Sequence, residues 1–166
     1  MAVVTTKSAG ITNRDATPAV LSNSSVVKAA LQKAAGVVAI ANGDSIGSKF
    51  IVCSIPSNAV ISSCVISAPD IGTTTAADVG LYQTTANGSA VVDADFFKAA
   101  VSLNGGAITK SEIVNGNIVT VANMEKRLYE HLSLTSDPGI TYDVVLTLTG
   151  AADAAGSAVV EVFYGF

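Results

Sequence analysis

Hydrophobic and polar positions divide this chain into short runs separated by turn residues. Between Asn42 and Gln83 three apolar runs follow one another closely, over residues 49–55, 59–67 and 78–82. Asn42-Gly43-Asp44 precedes the first and Pro56-Ser57-Asn58 ends it. Ala68-Pro69-Asp70 and Gly72-Thr73-Thr74-Thr75 close the second. Val60, Ile61, Val65 and Ile66 make it rich in β-branched residues. Runs of this kind, bounded by Pro, Gly, Asn and Asp, predict strands joined by hairpin loops. The first two are apolar on both faces. That places them centrally in a sheet, covered by another sheet or by a partner chain.

The flanking regions extend the pattern. Residues 1–24 are rich in Ser, Thr and Ala, contain Pro18, and carry charge only at Lys7, Arg14 and Asp15. They predict an extended arm, ordered against a neighbouring molecule, ahead of one sandwich domain over residues 25–166. Residues 26–41 mix helix formers with Gly36-Val37-Val38-Ala39-Ile40. Two strands with a turn near Lys33 to Gly36 fit best, because the surroundings are β and Gly36 interrupts any helix. Asn87-Gly88 signals a hairpin. Phe97, Ala99, Val101 and Leu103 then alternate with Lys98 and Ser102 as a strand ended by Asn104-Gly105-Gly106. Asn115-Gly116, flanked by Ile113-Val114 and Ile118-Val119, is the strongest short hairpin signal in the chain.

One short helix is predicted over residues 123–132. Asn123 would cap it, Glu125 falls in its first turn, and Met124, Leu128 and Leu132 share one face. After the Asp137-Pro138-Gly139 turn, Tyr142, Val144, Leu146 and Leu148 alternate with Asp143, Thr147 and Thr149, as in a half-buried strand. Residues 150–156 form a small-residue loop. Val160, Val162, Tyr164 and Phe166 then make a last strand with Glu161 on its other face. The fold class is therefore all-β: an antiparallel β-sandwich or jelly roll with one short helix.

Composition adds a reason to expect assembly. Of 166 residues, 49% are hydrophobic and only 13% charged, about half the charged share usual in soluble domains. So few charges leave faces better covered by copies or partners than by water. The longest apolar run, residues 34–41, is far short of the ~20 residues that span a bilayer, so no membrane partner is expected. The first seven residues lack the basic and apolar regions of a secretory signal. Net charge is −4 and the nine basic residues are scattered, with only Lys126 and Arg127 adjacent, so nucleic acid is not an expected partner. Cys53 and Cys64 fall in neighbouring strands and are expected as reduced, buried thiols.

Candidate chemistry is sparse. Gly43-Asp44-Ser45-Ile46-Gly47 fits a nucleophile-elbow pattern, which needs a strand before it, a helix after it and a histidine to activate the serine. Here a strand follows. The sole histidine, His131, lies on the predicted helix with no Asp three residues before it. A tight turn explains Gly43 and Asp44 better. Asp93 and Asp95 share a strand face that would suit a hard cation, but one pair without further carboxylates reads as a solvated edge. Asn23-Ser24-Ser25 and Asn87-Gly88-Ser89 match the glycosylation pattern and carry no weight without secretion. No phosphate loop, dinucleotide fingerprint or zinc spacing occurs. No catalytic, cofactor-binding or metal-binding residue is assigned, no small-molecule substrate is expected, and the chain is not read as an enzyme.

Two blocks of sequence carry a resemblance. The first holds Gly43-Asp44, Ile55-Pro56-Ser57-Asn58-Ala59-Val60-Ile61, Asp70-Ile71-Gly72 and Asp78-Val79-Gly80-Leu81-Tyr82. The second holds Lys126-Arg127-Leu128-Tyr129-Glu130, Leu132, Leu134-Thr135, Asp137-Pro138-Gly139, Tyr142-Asp143-Val144 and Leu146-Thr147-Leu148-Thr149. In this order they resemble the head decoration, or cement, proteins of tailed bacteriophages, encoded beside the major capsid protein. The resemblance covers residues 42–166 and leaves the arm unaccounted for. It implies a jelly roll, a homotrimer, and binding to the major capsid protein lattice on the outer surface of a virion built in the host cytoplasm. The alternative is a phage tail or fibre module, or a glycan-binding β-sandwich. Glycan sites favour exposed aromatics, and with 5% aromatic residues and no Trp only Tyr82, Tyr129 and Tyr164 are candidates.

Overall fold

The computed structural model describes Lys7 and residues 9–20, 30–116 and 118–166. Strands β1 (Gln32–Ile40), β2 (Lys49–Pro56), β3 (Val60–Ala68), β4 (Ala76–Gln83), β5 (Val91–Ser102), β6 (Ile108–Glu112), β7 (Thr141–Gly150) and β8 (Gly156–Gly165) carry the fold. They form two four-stranded antiparallel sheets, ordered β1-β8-β3-β6 and β2-β7-β4-β5. Pairing is nested: β4 with β5, β3 with β6, β2 with β7 and β1 with β8. Such nesting is a jelly roll, a long antiparallel hairpin wrapped until its halves face each other. The all-β sandwich anticipated from turn spacing is the architecture observed.

Between the sheets lies one core, to which Ile55, Ile66, Leu81, Phe97, Leu146 and Val162 contribute with almost no exposure. β7 departs from its expected half-buried pattern. Asp143 and Val145, on its outer face, are buried as well. Tyr82 stands beside Asp143 and Gly80 beside Val145. Ser54 donates to Asp143 at 2.6 Å, and the Lys49 ammonium lies 4.8 Å from the centre of the Tyr82 ring. A central strand flanked by long neighbours is thus covered on both sides.

Two glycines set close approaches. Among the described residues of this region, 30–41, no turn divides the chain at Lys33 to Gly36. Gly36 lies inside the single strand β1, and a Cβ there would sit 1.9 Å from the Val52 carbonyl oxygen of β2. The glycine is a contact point between the sheets rather than a chain reversal. At Gly80 a Cβ would lie 2.2 Å from the Ala94 carbonyl, so this glycine admits the β5 backbone. β5 there shifts register repeatedly against β4, and Phe96 and Phe97 are both buried. Simple alternation through Phe97, Ala99, Val101 and Leu103 fails because bulges reset which side faces inward.

Asn87-Gly88 closes the β4–β5 hairpin as expected, with a 3-10 turn over Thr85–Asn87 and Gly88 at φ 92°. Asn115-Gly116 also turns, with the Ile118 N–H on the Asn115 carbonyl at 2.9 Å, but no strands flank it. β6 stops at Glu112, whose carboxylate accepts the N–H groups of Cys64 and Val114 at 3.0 and 3.2 Å. Ile113 and Ile118 then turn into the core.

The predicted helix is shorter than expected and is not capped by Asn123. Residues 121–125 are turns. The segment predicted as an arm contains α1 (Ala9–Asp15), and α2 spans only Leu128–His131. The Glu130 carboxylate accepts the Arg127 N–H at 2.7 Å, while Leu128 and Tyr129 donate to the carbonyls of Ala59 and Ser57 at 2.8 and 2.9 Å. Bonds to the β2–β3 turn satisfy amides that a helix start leaves free, and so fix where α2 begins. α1 replaces an extended conformation with a local one, closed by Lys7 on Asp15 at 2.9 Å and Val20 on Asn13 at 3.0 Å. The remainder of the predicted arm, residues 1–6, 8 and 21–24, lies outside the described residues, as do the start of the sandwich domain at residues 25–29 and the Asn23-Ser24-Ser25 pattern.

Candidate assembly surfaces

Alternating connections sort the loops to opposite ends of the sandwich. The β1–β2, β3–β4, β5–β6 and β7–β8 loops gather at one end, and the β2–β3, β4–β5 and β6–β7 loops at the other. The first end is tied by Asp153, whose carboxylate accepts the Thr73 N–H at 2.8 Å and the Thr73 hydroxyl at 2.5 Å. These bonds hold the Asp153 carboxyl below the usual carboxylate range. Gly43 donates to the Ala152 carbonyl at 2.8 Å, and Ile71 to Leu103 at 2.9 Å. The second end is dominated by the β6–β7 excursion, residues 113–140, which α2 and Asp137 anchor to Ser57.

The residues singled out for chemistry are not brought together. Ser45 is exposed in the β1–β2 turn, at the start of β2, whereas His131 belongs to α2 against the far end of that strand. Eight residues of β2 separate the two ends, roughly 25 Å at strand rise. His131 instead packs against Phe96, ring centres 6.2 Å apart, where burial and then Lys126 lower its pKa. Asp93 and Asp95 are adjacent on β5: Asp93 accepts the Asp95 N–H at 3.3 Å, and burial with the second carboxyl pushes its pKa up. A groove of about 220 Å³ beside Asp95 is also lined by Lys98, Ala99, Asn115 and Gly116, mixing acid with base. Among the described residues no three His, Cys, Asp or Glu side chains come together as a metal site would need. No described helix is long and apolar enough to cross a membrane. Cys53 and Cys64 are both free thiols.

Exposed apolar side chains are what remain; two groups stand out, while Ile11, Val20, Val91 and Phe166 project elsewhere. On the β6–β7 excursion Val119, Val121 and Met124 project, Val121 at 94% exposure. Along β1, the turn after it and β2 lie Leu31, Val37, Ile46 and Ile51, each more than half exposed. The outer face of the β1-β8-β3-β6 sheet is sparsely charged. Lys33 is paired with Glu161 at 2.8 Å, and Glu112 is held by Ser63 at 2.7 Å. Exposed apolar residues beside internally paired charges suit protein contact. Sequence reasoning anticipated such surfaces from composition but named none of these residues, since exposure within a strand depends on which pairs become edges.

No protein-family model matches the sequence, and no curated protein does either. Solved structures do. A chain from the capsid of Ralstonia phage GP4 superposes with a TM-score of 0.53 at 17% identity, over 82% of this chain and 84% of that one. A chain from the cyanophage Pam1 capsid asymmetric unit gives 0.50 at 14% identity, over 83% and 86%. The shared feature is the fold. Its structural neighbours are thus phage capsid proteins, the setting to which the sequence resemblance pointed.

Proposed function

We propose that this chain is a head decoration protein of a tailed bacteriophage, a homotrimer that binds the outer surface of the major capsid protein lattice and cements it. The observation that carries the reading is the jelly roll shared with chains of two phage capsids over more than four-fifths of each chain. The ordered resemblance over residues 42–166 supports it independently. So does the chemistry: a protein that repeats on a lattice needs apolar contact surface and tight loop ends, and it has both. Residues 1–24 act as an arm that adds contacts to a neighbouring subunit or to the shell. The protein is made in the host cytoplasm and has no substrate.

Addition of full-length protein to undecorated heads tests the reading. Saturable uptake, with one trimer per lattice position and greater resistance of the heads to heat, is the expected result. No uptake overturns it and moves the tail or fibre reading ahead, and binding on a glycan array would favour the glycan reading. Deletion of residues 2–22 should leave a folded oligomer with reduced occupancy. Unchanged occupancy rejects the arm.

A further inference from the structure

We propose that the free edge of β1 is a self-association site, where β1 of a second copy pairs antiparallel and joins two four-stranded sheets into one. This contact is two-fold. It is separate from the three-fold assembly proposed above, and either can fail without the other.

Four strands lie at sheet edges: β1 and β6 in one sheet, β2 and β5 in the other. An edge presents unpaired N–H and C=O groups, which proteins ordinarily blunt with bulges, short strands or charges. Three of these edges are blunted. β2 is bulged between Ile51 and Cys53, and β5 shifts register three times against β4. β6 is five residues long, shifts register once, and carries Lys110 at φ 45°. β1 is neither bulged nor short, and its one charge, Lys33, is paired with Glu161 of β8 at 2.8 Å. It keeps one register with β8 over nine residue pairs, from Gln32↔Tyr164 to Ile40↔Gly156. Among the described residues β8 is its sole strand partner.

The occupant must be an extended strand with small side chains and no cation opposite Lys33. β1 satisfies both conditions for itself. With Val37 opposite Val37 of the second copy, Ala35 faces Ala39 and Lys33 faces Ala41. With Gly36 at the centre instead, Lys33 faces Ala39. Like charges never meet directly in either register, so the edge is electrostatically self-complementary. A two-fold contact needs this, because each copy presents the same patch. The exposed Leu31, Val37, Ile46 and Ile51 all lie along this side of the sandwich, where a second copy would cover them.

Cross-linking of the full-length chain tests the proposal. Facing residues of an antiparallel pair lie about 4.5–5.5 Å apart at Cα, within disulfide reach. Val37→Cys, oxidised with diamide, should give a covalent dimer at least tenfold faster than Val91→Cys, a site more than half exposed on the bulged edge β5. Equal rates overturn the Val37-centred register, and if mixed Ala35→Cys and Val37→Cys chains also cross-link no faster than Val91→Cys, the Gly36-centred register fails too and the proposal is overturned. Val37→Lys should weaken self-association at least tenfold by sedimentation while its melting temperature stays at the wild-type value. Association unchanged by that lysine also overturns it.

Discussion

The Ser57 hydroxyl donates to the Asp137 carboxylate and accepts the Ile140 N–H at 3.2 Å, so one buried side chain ties the β2–β3 turn to the end of the β6–β7 excursion. The Ser57 backbone adds two bonds, its N–H to the Ile140 carbonyl at 2.8 Å and its carbonyl to the Tyr129 N–H at 2.9 Å. Ser57→Ala removes the hydroxyl and leaves the Ile140 N–H without its partner. Buried bonds of this kind carry about 1–3 kcal/mol, and the urea midpoint should fall accordingly at unchanged slope. An unshifted midpoint would mean that backbone bonds alone hold the excursion.

Acid should destabilise the protein. Ser57 and the Gly139 N–H hold the Asp137 carboxyl low, Thr73 does so for Asp153, and Lys33 for Glu161. These groups take up protons at lower pH when folded than when unfolded. Their contribution is full above the ordinary values of 3.8 for Asp and 4.5 for Glu, and is lost as pH falls through the lower folded values. Asp93 acts in the opposite sense, since its pKa is raised. The melting temperature should drop between pH 5 and pH 3 where the paired carboxylates dominate, and Asp137→Asn should flatten that slope. A melting temperature that rises on acidification would contradict the assignment.

Gly36→Ala separates local preference from packing. Alanine suits a regular strand better than glycine by about 0.5–1 kcal/mol. At this position its Cβ would lie 1.9 Å from the Val52 carbonyl oxygen, so β1 and β2 must move apart. Overpacking of this kind costs about 1–3 kcal/mol, and the net effect should be destabilising by chemical denaturation. A stabilised variant would show that the two strands do not touch there.

The two thiols should be inert in the folded protein. Burial, and then Asp143, push the Cys53 thiol up to about 11, against an ordinary 9.0, while burial raises Cys64 further. A shift of that size leaves about a hundredfold less thiolate for Cys53 at pH 8. Thiol reagent should therefore label neither group in native buffer and both in denaturant. Fast labelling of the native chain would place a cysteine at the surface.

Much of the fold was legible because its central strands declare themselves locally. β2, β3, β7 and β8 are continuous apolar or alternating runs ended by Pro, Gly or Asp, and those signals are short-range. What was missed depends on long-range partners. Gly36 reads as a break until Val52 is seen against it. Asn123 reads as a cap until Ala59 and Ser57 are seen to take the amides of Leu128 and Tyr129. β5 alternates cleanly in sequence and not in space, because Gly80 lets its backbone bulge inward. The assembly surfaces were legible only as an excess of apolar residues, since the nested pairing decides which of them stay exposed.

Nested pairing also orders events in time. β8 is the last of the described strands in chain order, yet it lies in the interior of its sheet, between β1 and β3. Until residues 156–165 leave the ribosome, β1 and β3 have no strand between them, and only the β3–β6 pair of that sheet can form. The hairpin of β4 and β5, closed by Asn87 and Gly88, needs no such wait. The β4–β5 hairpin can therefore pair while the chain is still being made, whereas β1 gains its strand partner only once β8 is present.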